Sequence, residues 1–378
     1  MKITASLAIV VAAVLCAGQS TSAQDNLSDH IKFEDNRNPG APVNSGITPV
    51  SWWTNGIMGW NKCGATSCTS QDKCAAGPCC PSDDLCYTLW GDVLFLSARD
   101  VGFGYAQHVA GTPADFTPFA PQNMVDPDYQ VGFRVGGAYE TDRYTRFSAQ
   151  YWYFRSDTND AIDLPGGTGF LIPLVAHPNT TTVDTDFLSA SGRLEIDFDI
   201  VDVNFEQSLC NTCDSSVDVV VGFRYAHLDQ NFQGDFLVDG FTTVRSSTEF
   251  HGFGPRAGLK LHRDVGCGWN VYGEGFFDIL AGQFQSDYSQ DNTMVGNLAR
   301  SGFEDDRLVP QLEAELGVGW ENACGNFSIR AGYYMGAWFN TVTTAEFIEG
   351  VQATSFSDDT IDETMTFDGL TARMLFKF

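Results

Sequence analysis

The sequence predicts an all-β protein, an antiparallel up-and-down transmembrane barrel of about ten strands with long loops at one end and short turns at the other. Three observations carry the prediction. The chain opens with an export leader, its last three quarters alternate apolar with polar or small residues at the period of a strand, and the connections between those segments alternate in length.

The leader comes first. Lys2 precedes an apolar run over 3–17, broken only by Thr4 and Ser6, and small residues lead to Thr21-Ser22-Ala23. This layout predicts a signal peptide, residues 1–23, cut after Ala23. The run is too short for a comfortable membrane helix of about 20 residues, and a buried N-terminal helix is the alternative.

Residues 24–86 form a separate segment. Up to 62 it is rich in Asp, Asn, Gly and Pro, with Trp52, Trp53 and Trp60 as its aromatic cluster, and reads as a loosely ordered periplasmic stretch. Over 63–86 it carries Cys63, Cys68, Cys74, Cys79, Cys80 and Cys86. Of eleven cysteines Cys16 leaves with the leader, and the other four are Cys210, Cys213, Cys267 and Cys324. The even remainder in an exported chain predicts disulfides. The spacing does not repeat the paired pattern of a zinc site, and Cys210-Asn-Thr-Cys213, although spaced like a redox motif, falls in a turn. All ten are placed at the periplasmic end, where they tie the N-terminal segment to the rim or link neighbouring chains.

The barrel is predicted over 87–378. Its ten segments are 87–98, 129–140, 145–155, 185–207, 217–229, 249–262, 269–281, 307–320, 326–339 and 366–378. In the second, Tyr129, Val131, Phe133 and Val135 alternate with Gln130, Gly132, Arg134 and Gly136. The fourth is too long for one plain strand, and its apolar parity slips at Ile200–Val201, where a bulge is expected. The connections run about 30, 4, 29, 9, 19, 6, 25, 5 and 26 residues, which places long loops outside and short turns in the periplasm. Closure follows because an open sheet edge cannot be satisfied in hydrocarbon. A soluble β-sandwich also alternates, but has no reason to alternate its loop lengths. Aromatics near strand ends, such as Tyr129, Tyr153, Trp269 and Trp320, fit interfacial girdles.

The polar face defines a lumen. Arg134, Arg146, Arg193, Arg224, Arg256, Lys260, Arg307, Arg330, Arg373 and Lys377 are placed inward. Asp92, Glu140, Glu195, Asp197, Asp218, Glu274, Asp278, Glu313 and Glu315 are placed with them, while Asp199, Asp202 and Glu206 lie around the parity slip and are unassigned. Short turns suggest three pairs: Glu140 with Arg146, Arg256 with Glu274, and Glu315 with Arg330. Arg256 is given room by Gly254 and Gly258, and a structural ion pair is favoured over a gating role.

With 48 acidic residues against 21 basic ones and a net charge of −27, the composition opposes nucleic acid as a partner. None of the six histidines sits in a recognisable catalytic motif, so no catalytic residue, cofactor or metal is predicted. The acidic stretches 304–306 and 357–363 read as solvated loop charge rather than as sites for divalent ions.

His251-Gly-Phe-Gly-Pro-Arg-Ala-Gly-Leu259 resembles the G-x-G-P-R-x-G-L signature of the Legionella-type major outer membrane protein family. Val221-Gly-Phe-Arg-Tyr-Ala226 resembles that family's G-x-R-Y strand, and the terminal Phe378 looks like the assembly signal of outer-membrane barrels. The resemblance covers 87–378 and leaves 63–86 unmatched. It implies residence in the outer membrane and a pore-forming, porin-like role for small hydrophilic solutes or ions. The alternative is a structural protein with a salt-bridge-plugged lumen, whose Cys-rich segment contacts other envelope components. Partners expected on this view are outer-membrane lipid, the barrel assembly machinery and neighbouring copies of the chain.

Overall fold

Every predicted alternating segment is a strand in the computed structural model, which describes residues 86–378 apart from 113–114, 142–143, 165–168, 181–187, 212–213, 238–239, 324 and 354–362. The leader, nearly all of the Cys-rich segment, Cys213, Cys324 and most of 357–363 lie outside the described residues, as does the side chain of Cys86.

In chain order the strands are β1 (Cys86–Arg99), β2 (Phe103–Thr112), β3 (Asp115–Val125), β4 (Gln130–Glu140), β5 (Thr145–Asp163), β6 (Phe170–Pro173), β7 (Ser189–Asn211) and β8 (Ser215–Leu237). They continue as β9 (Phe241–Gly266), β10 (Trp269–Asn292), β11 (Gly296–Glu321), β12 (Phe327–Thr341) and β13 (Glu363–Lys377), with helix α1 (Thr344–Gln352) preceding β13 among the described residues. Ten of them close an antiparallel barrel in the order β1-β13-β12-β11-β10-β9-β8-β7-β5-β4. Closure runs to the end of the chain: the Phe378 N–H donates to the Tyr87 carbonyl at 2.8 Å, and Tyr87 returns the bond at 3.1 Å.

The short turns have local causes. Gly266, Cys267 and Gly268 all adopt positive φ, which two glycines make cheap. Between β11 and β12 the Asn322 Oδ1 accepts from the backbone N–H groups of Asn326 and Phe327 at 3.1 and 3.2 Å.

Two expectations about the other end are corrected. First, 230–237, 241–248, 282–292 and 296–306 are not loops. They are continuations of β8 to β11, so these strands reach 23 to 26 residues, where about 9–11 suffice to cross a bilayer. Second, β7 has no bulge at Ile200–Val201. Its pairing with β8 runs unbroken from Ser189↔Leu237 to Ser208↔Asp218, and the one register shift lies at Ser208/Cys210.

What changes at Ile200 is the surroundings. Leu194, Ile196, Phe198 and Ile200 point into the barrel and are buried, and so do Asp202, Asn204 and Glu206 below them. The opposite parity is charged from Arg193 to Asp199 and then turns into Val201 and Val203, which are exposed. Below Ile200 the wall shows apolar residues to lipid and polar ones to the lumen. Above it the outside is water and the inside is a packed core. Arg193, Glu195 and Asp197 are therefore outward residues, not lumen residues. Arg193 is more than half exposed and forms a two-pronged contact with Asp157 at 2.6 and 2.9 Å, which holds the Asp157 carboxyl below its usual range.

The interior above the belt is filled by the remaining elements. Strands β3, β2 and β6 form a small sheet whose Tyr105, Ala106, Val109 and Leu171 are buried. Tyr105, Ala106 and Leu171 join Leu194, Ile196, Phe250, Phe284, Trp338 and Phe347 in one apolar cluster. Helix α1 is capped by Thr343, whose hydroxyl accepts from the Glu346 N–H at 3.3 Å, and buries Phe347 and Ile348. Gln230 on β8 fixes its approach by donating to the Val342 carbonyl at 2.9 Å and accepting from the Thr344 N–H at 3.2 Å. Tyr288 donates to the Val175 carbonyl at 3.0 Å, and burial pushes its hydroxyl pKa up to about 12.

Candidate functional site

The membrane-spanning part of the lumen holds charged side chains in three layers. Nearest the short turns, the Arg146 guanidinium meets Glu140 at 3.0 Å and Glu206 at 3.7 Å. Lys260 reaches Glu206 at 2.7 Å, and Lys377 reaches Glu140 at 2.9 Å. The predicted Glu140–Arg146 pair is present, with the two residues directly opposite on β4 and β5.

The second layer centres on Asp92, which pairs with both Arg134 and Arg373, the latter at 2.8 Å. Arg134 also crosses to Glu315 on β11 at 2.8 Å. Glu315 then accepts from Tyr272 at 2.8 Å and Thr371 at 3.0 Å. Glu274 lies 3.6 Å from Arg373 and 3.9 Å from Arg330.

The third layer is fully buried. Arg224 on β8 donates to Asp202 at 2.6 and 2.9 Å, to Glu313 on β11 at 3.1 Å and to Gln311 at 3.1 Å, with 0% of its side chain exposed. Arg256 on β9 donates to Asp278 at 2.8 Å and to Glu313 at 2.8 Å. Gln150 on β5 donates to Asp202 at 2.8 Å, and Tyr334 on β12 to Glu313 at 2.9 Å. Hydrogen-bonded side chains thus run from β5 to β12 across the lumen. A buried guanidinium needs several acceptors and a buried carboxylate several donors; Asp202 finds its donors on the neighbouring strands β5 and β8, whereas Glu313 on β11 reaches Arg224 and Arg256 on strands that are not its neighbours.

Two predicted pairs are corrected. Arg256 lies opposite Asp278, while Glu274 lies opposite Lys260, because β9 runs past its expected end at 262 to Gly266, which pairs with Trp269 and moves the register. Glu315 lies opposite Tyr334 and binds Arg134 across the lumen instead of Arg330. The room left by Gly258 is taken by Phe276, to whose ring a Cβ at 258 would come within 2.2 Å. The Arg256 guanidinium lies 3.9 Å over that ring. Gly136 likewise receives Trp90, and Arg134 lies 4.2 Å over Trp152.

Arg134, Arg146, Arg224, Arg256, Glu140, Glu274, Glu313, Glu315, Arg330 and Arg373 face inward, whereas Arg193, Glu195 and Asp197, placed in the lumen with them from sequence, face outward. Asp202 and Glu206 were missed because the inversion of surroundings along β7 hid their parity. Tyr272, Trp152 and Tyr334 share the inward parity of Glu274, Arg146 and Arg330 on their strands, and were missed because the lumen was defined by its charged residues alone. Cys210 and Cys267 lie at the short-turn end, and Phe378 sits exposed at the seam beside Tyr87.

Known proteins resemble this chain at two levels. The family model described as Legionella pneumophila major outer membrane protein precursor matches residues 80–378. The comparison with curated proteins returned no match. Among solved structures, the outer membrane protease OmpT from Escherichia coli aligns at 8% identity and a TM-score of 0.44, covering 78% of this chain and 97% of its own. A major outer membrane protein from Thermus thermophilus aligns at 10% identity and a TM-score of 0.31, covering 78% and 99%. The toluene transporter TodX of Pseudomonas putida aligns at 9% identity and a TM-score of 0.25, covering 78% and 90%.

Proposed function

The chain belongs to the family of the Legionella pneumophila major outer membrane protein, and from that premise we propose that it is an outer-membrane barrel whose resting lumen is closed, a structural envelope protein rather than a standing pore. One observation carries this reading: Arg224, Asp202, Asp278 and Glu313 meet across the lumen with 0 to 2% of their side chains exposed. Ten strands lie near the size at which side chains alone fill a barrel, and here they do so with paired charges. The apolar cluster and α1 add a second closure above the charged one. On this reading the short turns face the periplasm, and the Cys-rich segment 24–86 meets other envelope components there through cystine-stabilised structure. No catalytic role is assigned.

A narrow ion path is the second reading. It is favoured by the composition of the lumen, which is charged through its membrane height and would be wetted wherever the pairs part. Planar-bilayer recording of the purified full-length protein separates the two. The closed reading expects no unitary conductance in the parent and steps in Arg256→Ala/Asp278→Ala. Sustained steps in the parent under low voltage overturn it and establish the pore.

A further inference from the structure

The outer face carries a cluster that the lumen reading does not use. On β8 and β9, His227 and His251 are directly opposite each other, one row above Tyr225 and Phe253 at the edge of the apolar belt. Their rings stack at 4.2 Å and 3°. Both Nε2 atoms face one carboxylate oxygen, Glu249 Oε1, at 3.3 Å from His227 and 2.6 Å from His251. Asp229 Oδ2 lies 3.4 Å from the same His227 Nε2. The ligand atoms of His227, Glu249 and His251 all fall within 4.8 Å of one another.

We propose that His227, His251 and Glu249, with Asp229 as the fourth ligand, form a surface site for a borderline divalent transition metal of the zinc class. Donor type sets the class, since two imidazoles with carboxylates suit zinc, whereas calcium and magnesium take oxygen. Spacing agrees. Bonds of about 2.0–2.1 Å in a tetrahedron place ligand atoms about 3.3 Å apart. The distances from His227 Nε2 to Glu249 and Asp229, 3.3 and 3.4 Å, already have that value, and the 2.6 Å between His251 Nε2 and Glu249 Oε1 opens by a side-chain rotation of Glu249 at the surface.

The outer partners point the same way. Each imidazole turns its second nitrogen to a separate group: His251 Nδ1 lies 3.0 Å from the Tyr225 hydroxyl, and His227 Nδ1 lies 3.9 Å from Asp199 Oδ2. Binding through Nε2 takes the Nδ1–H tautomer of each ring, and the Tyr225 hydroxyl is placed to accept that proton from His251, with Asp199 the carboxylate nearest His227 Nδ1. A plain ion-pair network has no requirement that both rings present the same nitrogen. The antiparallel register makes the site rigid, because 227 and 251 cannot part without breaking the β8–β9 ladder. A shallow depression lined by His251, Gln283 and Asp306 leaves an entry path.

The site is independent of the closed-lumen proposal, as it lies on the outside of the wall. The test uses the full-length oxidised protein in detergent micelles, titrated with Zn²⁺ by calorimetry and with Co²⁺ by visible absorption. The parent should bind one equivalent more than His227→Ala/His251→Ala and show a tetrahedral Co²⁺ band that the variant lacks. Glu249→Gln, which keeps side-chain size, should weaken the same equivalent, and Tyr225→Phe should weaken it about 10–100-fold while keeping its stoichiometry. Heat-modified gel mobility confirms that each variant is folded. Equal stoichiometry and affinity in the parent and the double histidine variant, or identical Co²⁺ spectra, overturn the proposal.

Discussion

The deepest lumen layer has a net charge that makes its variants unequal. Arg224 and Arg256 face Asp202, Asp278 and Glu313, two cations against three anions. Arg256→Ala leaves one cation for three carboxylates in a site with no water-exposed side chain. Breaking a buried pair in this way costs about 3–5 kcal/mol. Asp278→Ala leaves two cations for two anions, and its cost falls to the lost hydrogen bonds, about 1.5–3 kcal/mol. The double variant restores the parental excess of one anion. Its cost should fall below the sum of the singles by about 0.5–3 kcal/mol. The assay is urea unfolding in lipid vesicles followed by tryptophan fluorescence, since Trp152 and Trp338 are buried in the lumen. An Asp278→Ala penalty equal to or above that of Arg256→Ala, or strict additivity, refutes the paired-charge reasoning. The lumen would then be a hydrated lining whose charges act singly.

Four further outcomes follow from the geometry. Gly136→Val should cost about 1–3 kcal/mol by the same assay, because a Cβ at 136 comes within 2.4 Å of the Trp90 ring; unchanged stability would show that Trp90 is free to move. Phe347→Ala removes a fully buried ring from α1 and should loosen the upper closure by about 3–5 kcal/mol, read as faster protease cleavage within 342–362 while the barrel keeps its heat-modified mobility. An epitope inserted at Met294–Val295, an exposed hairpin tip, should be labelled on intact cells and one at 142–143 should not; the reverse pattern inverts the orientation. Mass spectrometry without reduction should find the ten cysteines of the exported chain oxidised, and free thiols at 63–86 would remove the basis for a cystine-stabilised segment.

Much of this molecule was legible because strand periodicity is a local property. The alternation from Tyr129 to Val135 and from Leu308 to Trp320 located the strands and their inner faces, since a side chain two residues on returns to the same side whatever surrounds it. Connection lengths set the strand count and the up-and-down order for the same reason. Periodicity does not say which medium lies on each side. Along β7 the parity never changes, yet at Ile200 the apolar face passes from inside to outside, and the sequence pattern alone reads as a slip. Only the fold shows that β5 and β7 to β11 rise past the bilayer and enclose β2, β3, β6 and α1, so that the upper interior becomes an apolar core. The lumen partners were likewise beyond the sequence. Arg256 meets Asp278 because the turn at Cys267 is tighter than composition indicates, and Arg134 meets Glu315 because closing the wall brings β4 and β11 face to face. Local chemistry determined which residues are strand, which face inward and that their charges need partners; three-dimensional closure decided which partner each one has.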